Sequence, residues 1–367
     1  PYNAAIIAHE KMSAFAYISI LEAIGKLAIA FFIMWSPIDK LIYYAILMCS
    51  VAVVVRLTYG HYCKKHFAEC SYHFHWDKDI LKQMFGFAGW NFIGAASGVL
   101  RDQGGNIVIN LFFGPAVNAA RGIATQVNAA VVGFINNFMT ALNPQITKSY
   151  ASGDKEYMMT LIYQGARLSF YLLLFLSLPI LVNTHYILVL WLKILPTYAV
   201  LFVQLTLCFA LSESISQPLI TAMLATGNIK RYQIIVGGLQ LMNLPISYML
   251  LKMGFPPQCV LVVAIVISQL CLMARLYLLR KMIGISFIRF MRKVYLNVSV
   301  VTICSIIIPI VISQRLTESF SSFVILTIIV VICTSLSIFF IGCNLRERCL
   351  IKEQVYKLRQ RISKRKI

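Results

Sequence analysis

The 367-residue sequence predicts an all-α, polytopic bundle of transmembrane helices, and three observations carry that reading. First, the chain is 59% hydrophobic and 13% charged, with a mean hydropathy of +0.78, whereas an ordinary soluble domain is about 25% charged. Second, apolar runs long enough to cross a bilayer recur along its whole length. Third, the cations are sorted between those runs. Lys40, Lys193, Lys252 and Arg315 fall in one set of alternate connections, and Lys26, Arg101, Arg121 and Arg167 fall inside runs. All the other Lys and Arg, Arg275 among them, go to the opposite set, which includes both termini. That asymmetry places both ends on the cytoplasmic side. A formal charge of +20 distributed in this way is a topology signal. A nucleic-acid binder would gather its cations on one folded surface, so nucleic-acid, soluble-enzyme and secreted-domain readings are excluded.

Ten runs fall at about 13–34, 38–58, 83–112, 117–143, 160–182, 198–225, 231–251, 256–279, 294–313 and 320–343. Their length argues for helices, because spanning strands need only about 9 to 11 residues. An open lipid-facing sheet is excluded because a bilayer satisfies no free backbone donors.

The opening PYNAAIIAHEKM has no basic start followed by a cleavable apolar segment, and it reads as the end of a preceding element. In the first run Glu22 and Lys26 have the four-residue spacing and order of an intrahelical ion pair. After the second run, HYCKKHFAECSYHFH gathers His61, Cys63, His66, Cys70, His73 and His75. These are possible zinc ligands, weak ones, because the spacing matches no standard Cys-x2-Cys pair. Cys49, Cys208, Cys271, Cys304 and Cys333 read as small core hydrophobes.

The third and fourth runs form the centre of the chain. At 100° per residue, Asn91, Asp102, Asn106 and Asn110 share one stripe about 100° wide. Gly86, Gly89, Gly94, Gly98, Gly104 and Gly105 allow close helix approach, with Gly94 and Gly98 forming a GxxxG pair. The fourth run aligns Arg121, Thr125 and Asn128, and Asn143-Pro144 is expected to end or kink it. Charge inside a bilayer costs roughly 2.5 to 3.5 kcal/mol per residue on insertion scales, so such side chains face a bundle interior or a water-filled path. Two structural alternatives stand beside that one: interhelical hydrogen bonding for the asparagines, and a snorkelling guanidinium for Arg121 or Arg167. Arg101 could be neutralised by Asp102. In the sixth run, SESISQP leaves Glu213 with no basic partner on its own turn, so it either binds and releases a proton or is paired from another helix. The tail from Leu345 carries nine basic residues, with Ile351, Val355, Leu358 and Ile362 at helical spacing. It suits either a helix lying on an anionic leaflet or a solvated end.

The segments GWNFIGAASGVLRDQGGNIVINLFFGPAVNAARGIATQV and NFMTALNPQITKSYASGD, together with PYNAAIIAHEKM, resemble bacterial Wzx-type oligosaccharide flippases of the MOP exporter superfamily. Beyond them the resemblance rests on helix number and on WLKILPTYA and ATGNIKRYQ. It implies two six-helix lobes with two added helices, the first four helices being absent here. Residues 1–58 would then be the last two helices of the amino-terminal lobe and 59–82 an inter-lobe loop. Residues 83–282 would form the second lobe, 283–343 the added pair and 344–367 a cytoplasmic tail.

The resemblance further implies a multi-pass protein of the bacterial inner membrane, acting as a transporter without enzymatic activity or cofactor. Its cargo would be a polyprenyl-pyrophosphate oligosaccharide, turned from the cytoplasmic to the outer leaflet for surface polysaccharide or lipopolysaccharide assembly. H+ or Na+ would be coupled, and polymerase or transferase machinery are possible contacts. The residues suit that chemistry. Arg101, Arg121 and Arg167 are cations for the pyrophosphate. Asn91, Asn106, Asn110, Gln126, Asn128 and Gln217 are neutral partners for sugar hydroxyls, and Asp102 or Glu213 would answer the coupling ion. A small-molecule exporter of the same superfamily is the nearer alternative and a membrane-embedded sugar transferase or polymerase the more distant one.

Overall fold

The computed structural model describes residues 2–9, 11–35, 39–70, 77–315, 317, 319–345, 347–349 and 353. Among these residues there is no strand, and nine helices are long and apolar enough to cross a membrane. The protein is thus an all-α, polytopic helical bundle. Its contacts divide it into two compact units, residues 1–82 and 83–367.

The first unit holds α1 (Tyr2–Ala8), α2 (Met12–Phe32) and α3 (Lys40–His66). Asp39 caps α3 by accepting from the Leu41 and Ile42 amides, which satisfies two of the donors left open at a helix start. A small cluster of Ile6, Ala14, Ile18, Cys63 and Phe67 joins the three helices at one end. Further along, α2 and α3 expose Tyr17, Leu27, Phe31 and Leu41, as befits apolar helices whose solvent is lipid. The expected Glu22–Lys26 pair closes at 2.5 Å.

The second unit begins within α4 (Lys78–Ala151), a run of 74 helical residues. At 1.5 Å per residue it would be roughly 110 Å long if straight, against a hydrocarbon core of about 30 Å. Instead it breaks at Gly114, with φ 78° and ψ 179°, a conformation open essentially to glycine alone. Pro115 follows, and its ring disfavours helical geometry in the residue before it. The third and fourth runs are therefore the two arms of one broken helix, which is how ten predicted runs become nine helices. Asn143-Pro144 does not end the second arm, which continues to Ala151. The Thr147 hydroxyl donates to the Asn143 carbonyl four residues earlier at 3.1 Å, so that hydroxyl is not left unpaired.

The remainder comprises α5 (Lys155–Val182), α6 (Thr184–Leu192), α7 (Ala199–Ala225), α8 (Lys230–Lys252), α9 (Cys259–Ile283), α10 (Phe287–Ser313) and α11 (Phe320–Gly342). Helix α7 packs between α5 and α9, α8 packs on α9, and the α10–α11 pair lies against α5. The core runs through Leu173, Phe202, Leu207, Leu219, Leu276, Phe290, Val301 and Val330. The Ser305 and Thr334 hydroxyls bond back to carbonyls four residues earlier and so carry no unpaired donor into the apolar interior. Arg275, sorted by sequence into a connection, lies inside α9 and is 1% exposed. Ile351, Val355, Leu358 and Ile362 of the expected surface helix lie outside the described residues.

Candidate functional site

Paired glycines on the first arm of α4 shape the central site. A methyl group on Gly104 would collide with the Leu244 side chain of α8, and one on Gly105 would stand 2.5 Å from Arg121 Nη1. The absence of both methyl groups lets α8 approach from one side and lets the second-arm guanidinium lie flat on the first arm from the other. Gly94 plays the same part for Gln233, whose side chain occupies the space a methyl would need.

Arg121 is 9% exposed, and its Nη2 donates to the Asp102 carbonyl at 3.3 Å. Its Nη1 has no hydrogen-bond partner among the described residues. Arg101 forms a fork on Asp102, with Nε to Oδ1 at 2.9 Å and Nη2 to Oδ2 at 3.3 Å. The same guanidinium lies 4.9 Å from the centre of the Phe209 ring. The adjacent acid thus neutralises Arg101 and leaves Arg121 as the cation with an open donor. Both arginines border a cavity of about 230 Å³, together with Asn106, Thr125, Asn128 and Asn243. Two uncharged groups near it are also unsatisfied: Asn128 Oδ1 and Asn243 Nδ2. A buried open donor or acceptor costs about 1 to 3 kcal/mol, so three of them around one cavity mark it as a polar site.

Behind this wall, Glu213 accepts from Ser268 Oγ at 2.5 Å. Ser268 is also 2.9 Å from Ser212 Oγ, Ser212 receives Gln269 Nε2 at 2.5 Å, and Gln269 Oε1 accepts from Tyr295 at 2.9 Å. The chain of polar groups connects α7, α9 and α10. Glu213 also acts electrostatically on Arg101, Arg275 and Tyr232. Its partners come from other helices, Arg275 among them, and Arg167 is not one. Sequence reasoning missed Arg275, although Ser268, Cys271 and Arg275 recur at helical spacing on one face of the eighth run.

The other predicted residues are dispersed. Asn106 Nδ2 donates to Gln103 Oε1 at 3.1 Å, whereas Asn91, Asn110 and Gln126 are exposed on the arms of α4 and do not line the cavity. Gln217 lies on α7 and its carbonyl receives Thr221, whose hydroxyl also donates to Asn143 at 2.7 Å. Arg167 lies near the middle of α5, away from the central cavity. There Nη2 meets Glu347 at 2.7 Å, and Nη1 donates to the Gly342 carbonyl at 3.2 Å. Beside them, burial pushes the Cys343 thiol up, and the Glu347 carboxylate adds to the effect.

In the first unit Cys63 is buried and donates to the Tyr2 carbonyl, while His66 stacks on Tyr62. Among the described residues no group of three His, Cys, Asp or Glu side chains could hold a metal, so no three of His61, Cys63, His66 and Cys70 converge, although Cys63 and Cys70 meet. His73 and His75 lie outside the described residues.

Residues 2–150 match a family model described as polysaccharide biosynthesis protein. The match takes in α1 to α3 and nearly all of α4, hence Arg101, Asp102 and Arg121. Comparisons with curated proteins and with solved structures return no match. The chain is therefore a multi-pass helical protein whose first two-fifths are similar to polysaccharide biosynthesis proteins.

Proposed function

We propose that this chain carries a polyprenyl-pyrophosphate oligosaccharide across the bacterial inner membrane, from the cytoplasmic to the outer leaflet, for surface polysaccharide or lipopolysaccharide assembly. The observation that carries the reading is the open Nη1 donor of Arg121, 9% exposed at the wall of the central cavity. A pyrophosphate oxygen supplies what that donor lacks. A charge-assisted hydrogen bond of this kind is roughly twice as strong as a neutral one. Arg101, with Asp102 already on its fork, contributes a second cation whose charge is partly offset.

Asn106, Thr125, Asn128 and Asn243 offer the neutral donors and acceptors that a first sugar requires. At about 230 Å³ the cavity is smaller than the roughly 300 to 1,000 Å³ of ordinary ligand pockets, so it suits the headgroup, and the sugar chain extends beyond it. Glu213, linked to Ser268 and facing Arg275, is the group assigned to the coupling ion, H+ or Na+. The similarity of residues 2–150 to polysaccharide biosynthesis proteins supports the cargo class over a small-molecule exporter.

The test is transfer of lipid-linked oligosaccharide by the full chain in proteoliposomes, read by access of the sugar to an external lectin. Arg121→Gln is expected to reduce transfer at least tenfold while leaving the protein folded. Wild-type transfer by a folded Arg121→Gln protein sinks the assignment.

A further inference from the structure

A second polar cavity, separate from the central one, lies where α5 begins, α10 begins and α11 ends. It measures about 830 Å³ and is bordered by Arg167, Gln164, Arg289, Arg292, Lys293 and Asn297. Four cations border it, and Arg167 has a carboxylate partner, Glu347. Among the described residues no acid pairs with Arg289, Arg292 or Lys293, all three of which are exposed. Arg167 is 5% exposed, and its Nε has no hydrogen-bond partner among the described residues. Three cations in the opening turns of a 27-residue helix oppose its macrodipole, which by itself favours an anion at that end. Topology alone asks for cations on this side, but the open Nε of the buried Arg167 among them is a donor that an anion seated in the cavity would satisfy.

The surroundings indicate the kind of anion. Beyond the cavity, Leu296, Val300, Ile303 and Ile307 recur at helical spacing along α10 and are exposed. An apolar strip thus leaves the basic cavity along the helix towards the bilayer interior. A molecule matching both features has a phosphate head at the membrane surface and an acyl chain beside α10. Basic pockets between transmembrane helices are suited to such heads. We infer that the cavity formed by Arg167, Arg289, Arg292 and Lys293 binds the headgroup of an anionic phospholipid, which holds the α10–α11 pair to α5. The inference stands independently of the central cavity and its cargo.

The experiment follows thermal unfolding of the full chain in detergent, with added phosphatidylglycerol, phosphatidylcholine or inorganic phosphate at equal concentration. Phosphatidylglycerol is expected to raise the unfolding temperature through preferential binding to the folded state, and the other two to leave it unchanged. In Arg289→Gln/Arg292→Gln/Lys293→Gln the rise should be lost. At about fivefold per charge near an anionic surface, the apparent affinity falls on the order of 100-fold. Arg292→Gln and Lys293→Gln alone should each lose about fivefold, which keeps the test decisive if the triple variant does not fold. Equal stabilisation by phosphatidylcholine overturns the charge recognition. Equal stabilisation by inorganic phosphate overturns the lipid assignment. An unchanged response in the folded variants moves the anionic-lipid contact away from this cavity.

Discussion

Arg167 separates a structural from a transport role more sharply than any other residue in the chain. Its guanidinium is 5% exposed, and three acceptors from the end of α11 and just beyond it converge on it: the Gly342 carbonyl at 3.2 Å, Asn344 Oδ1 at 3.4 Å and Glu347 Oε1 at 2.7 Å. The paired side chains are 6% and 13% exposed, so water screens them little. Arg167→Gln leaves Glu347 buried and uncompensated, and losing one partner of a buried pair costs about 3 to 5 kcal/mol. Replacing both, as Arg167→Met/Glu347→Leu, removes the pair without stranding a charge. That change is often close to neutral in stability. A double-mutant cycle on denaturant unfolding in detergent, run beside the transfer assay, measures the coupling. The expected pattern is a large loss in each single variant, and recovery of both stability and transfer in the double. Additive losses would refute the pairing argument. A stable double variant unable to transfer would return Arg167 to a role with the cargo.

Other outcomes test the remaining elements. Gly105→Ala places a methyl 2.5 Å from Arg121 Nη1, so the guanidinium must leave its seat. Transfer should fall as in Arg121→Gln, with stability changed by less than about 1 kcal/mol because the displaced group is the end of a flexible side chain. A folded Gly105→Ala protein with normal transfer would mean that the seat is unimportant. Gly114→Ala forces a side chain into a conformation reserved for glycine and should cost about 1 to 3 kcal/mol, read as a lower unfolding temperature. No change would mean that the two arms of α4 straighten at little cost. The expected topology is checked with Ser152→Cys and Lys193→Cys, in a background where the exposed Cys49, Cys208 and Cys349 are serine. A membrane-impermeant maleimide added to intact cells should label position 193 and spare 152. The reverse pattern would invert the predicted orientation.

Features that depend on local content were legible in the residues alone. Each run's length and hydropathy dictates a helix, because only an internally hydrogen-bonded segment is stable in lipid. The Glu22–Lys26 pair and the polar stripe around Asp102 follow from spacing on one helix, where neighbours are known from the period. The break before the fourth run was legible as an interruption, and Gly114-Pro115 is its local cause.

Tertiary structure decided which of the charges meet. Arg167 and Glu347 are 180 residues apart, and no helical period relates them. Arg275 read as a connection residue because it lies near the end of its run beside Arg280 and Lys281. Packing of α9 on α7 and α8 buries it and gives it the field of Glu213. Asn91, Asn110 and Gln126 have the composition of sugar ligands, yet they are not among the residues that border the central cavity. Arg121 and Asn128 are, since Gly104 and Gly105 bring the arms of α4 and α8 close enough to enclose a cavity around them. Residue type states what a side chain can bind. Whether its donors are already spent depends on contacts between helices distant in sequence, and in an apolar medium an open buried donor is the costly exception that marks a site.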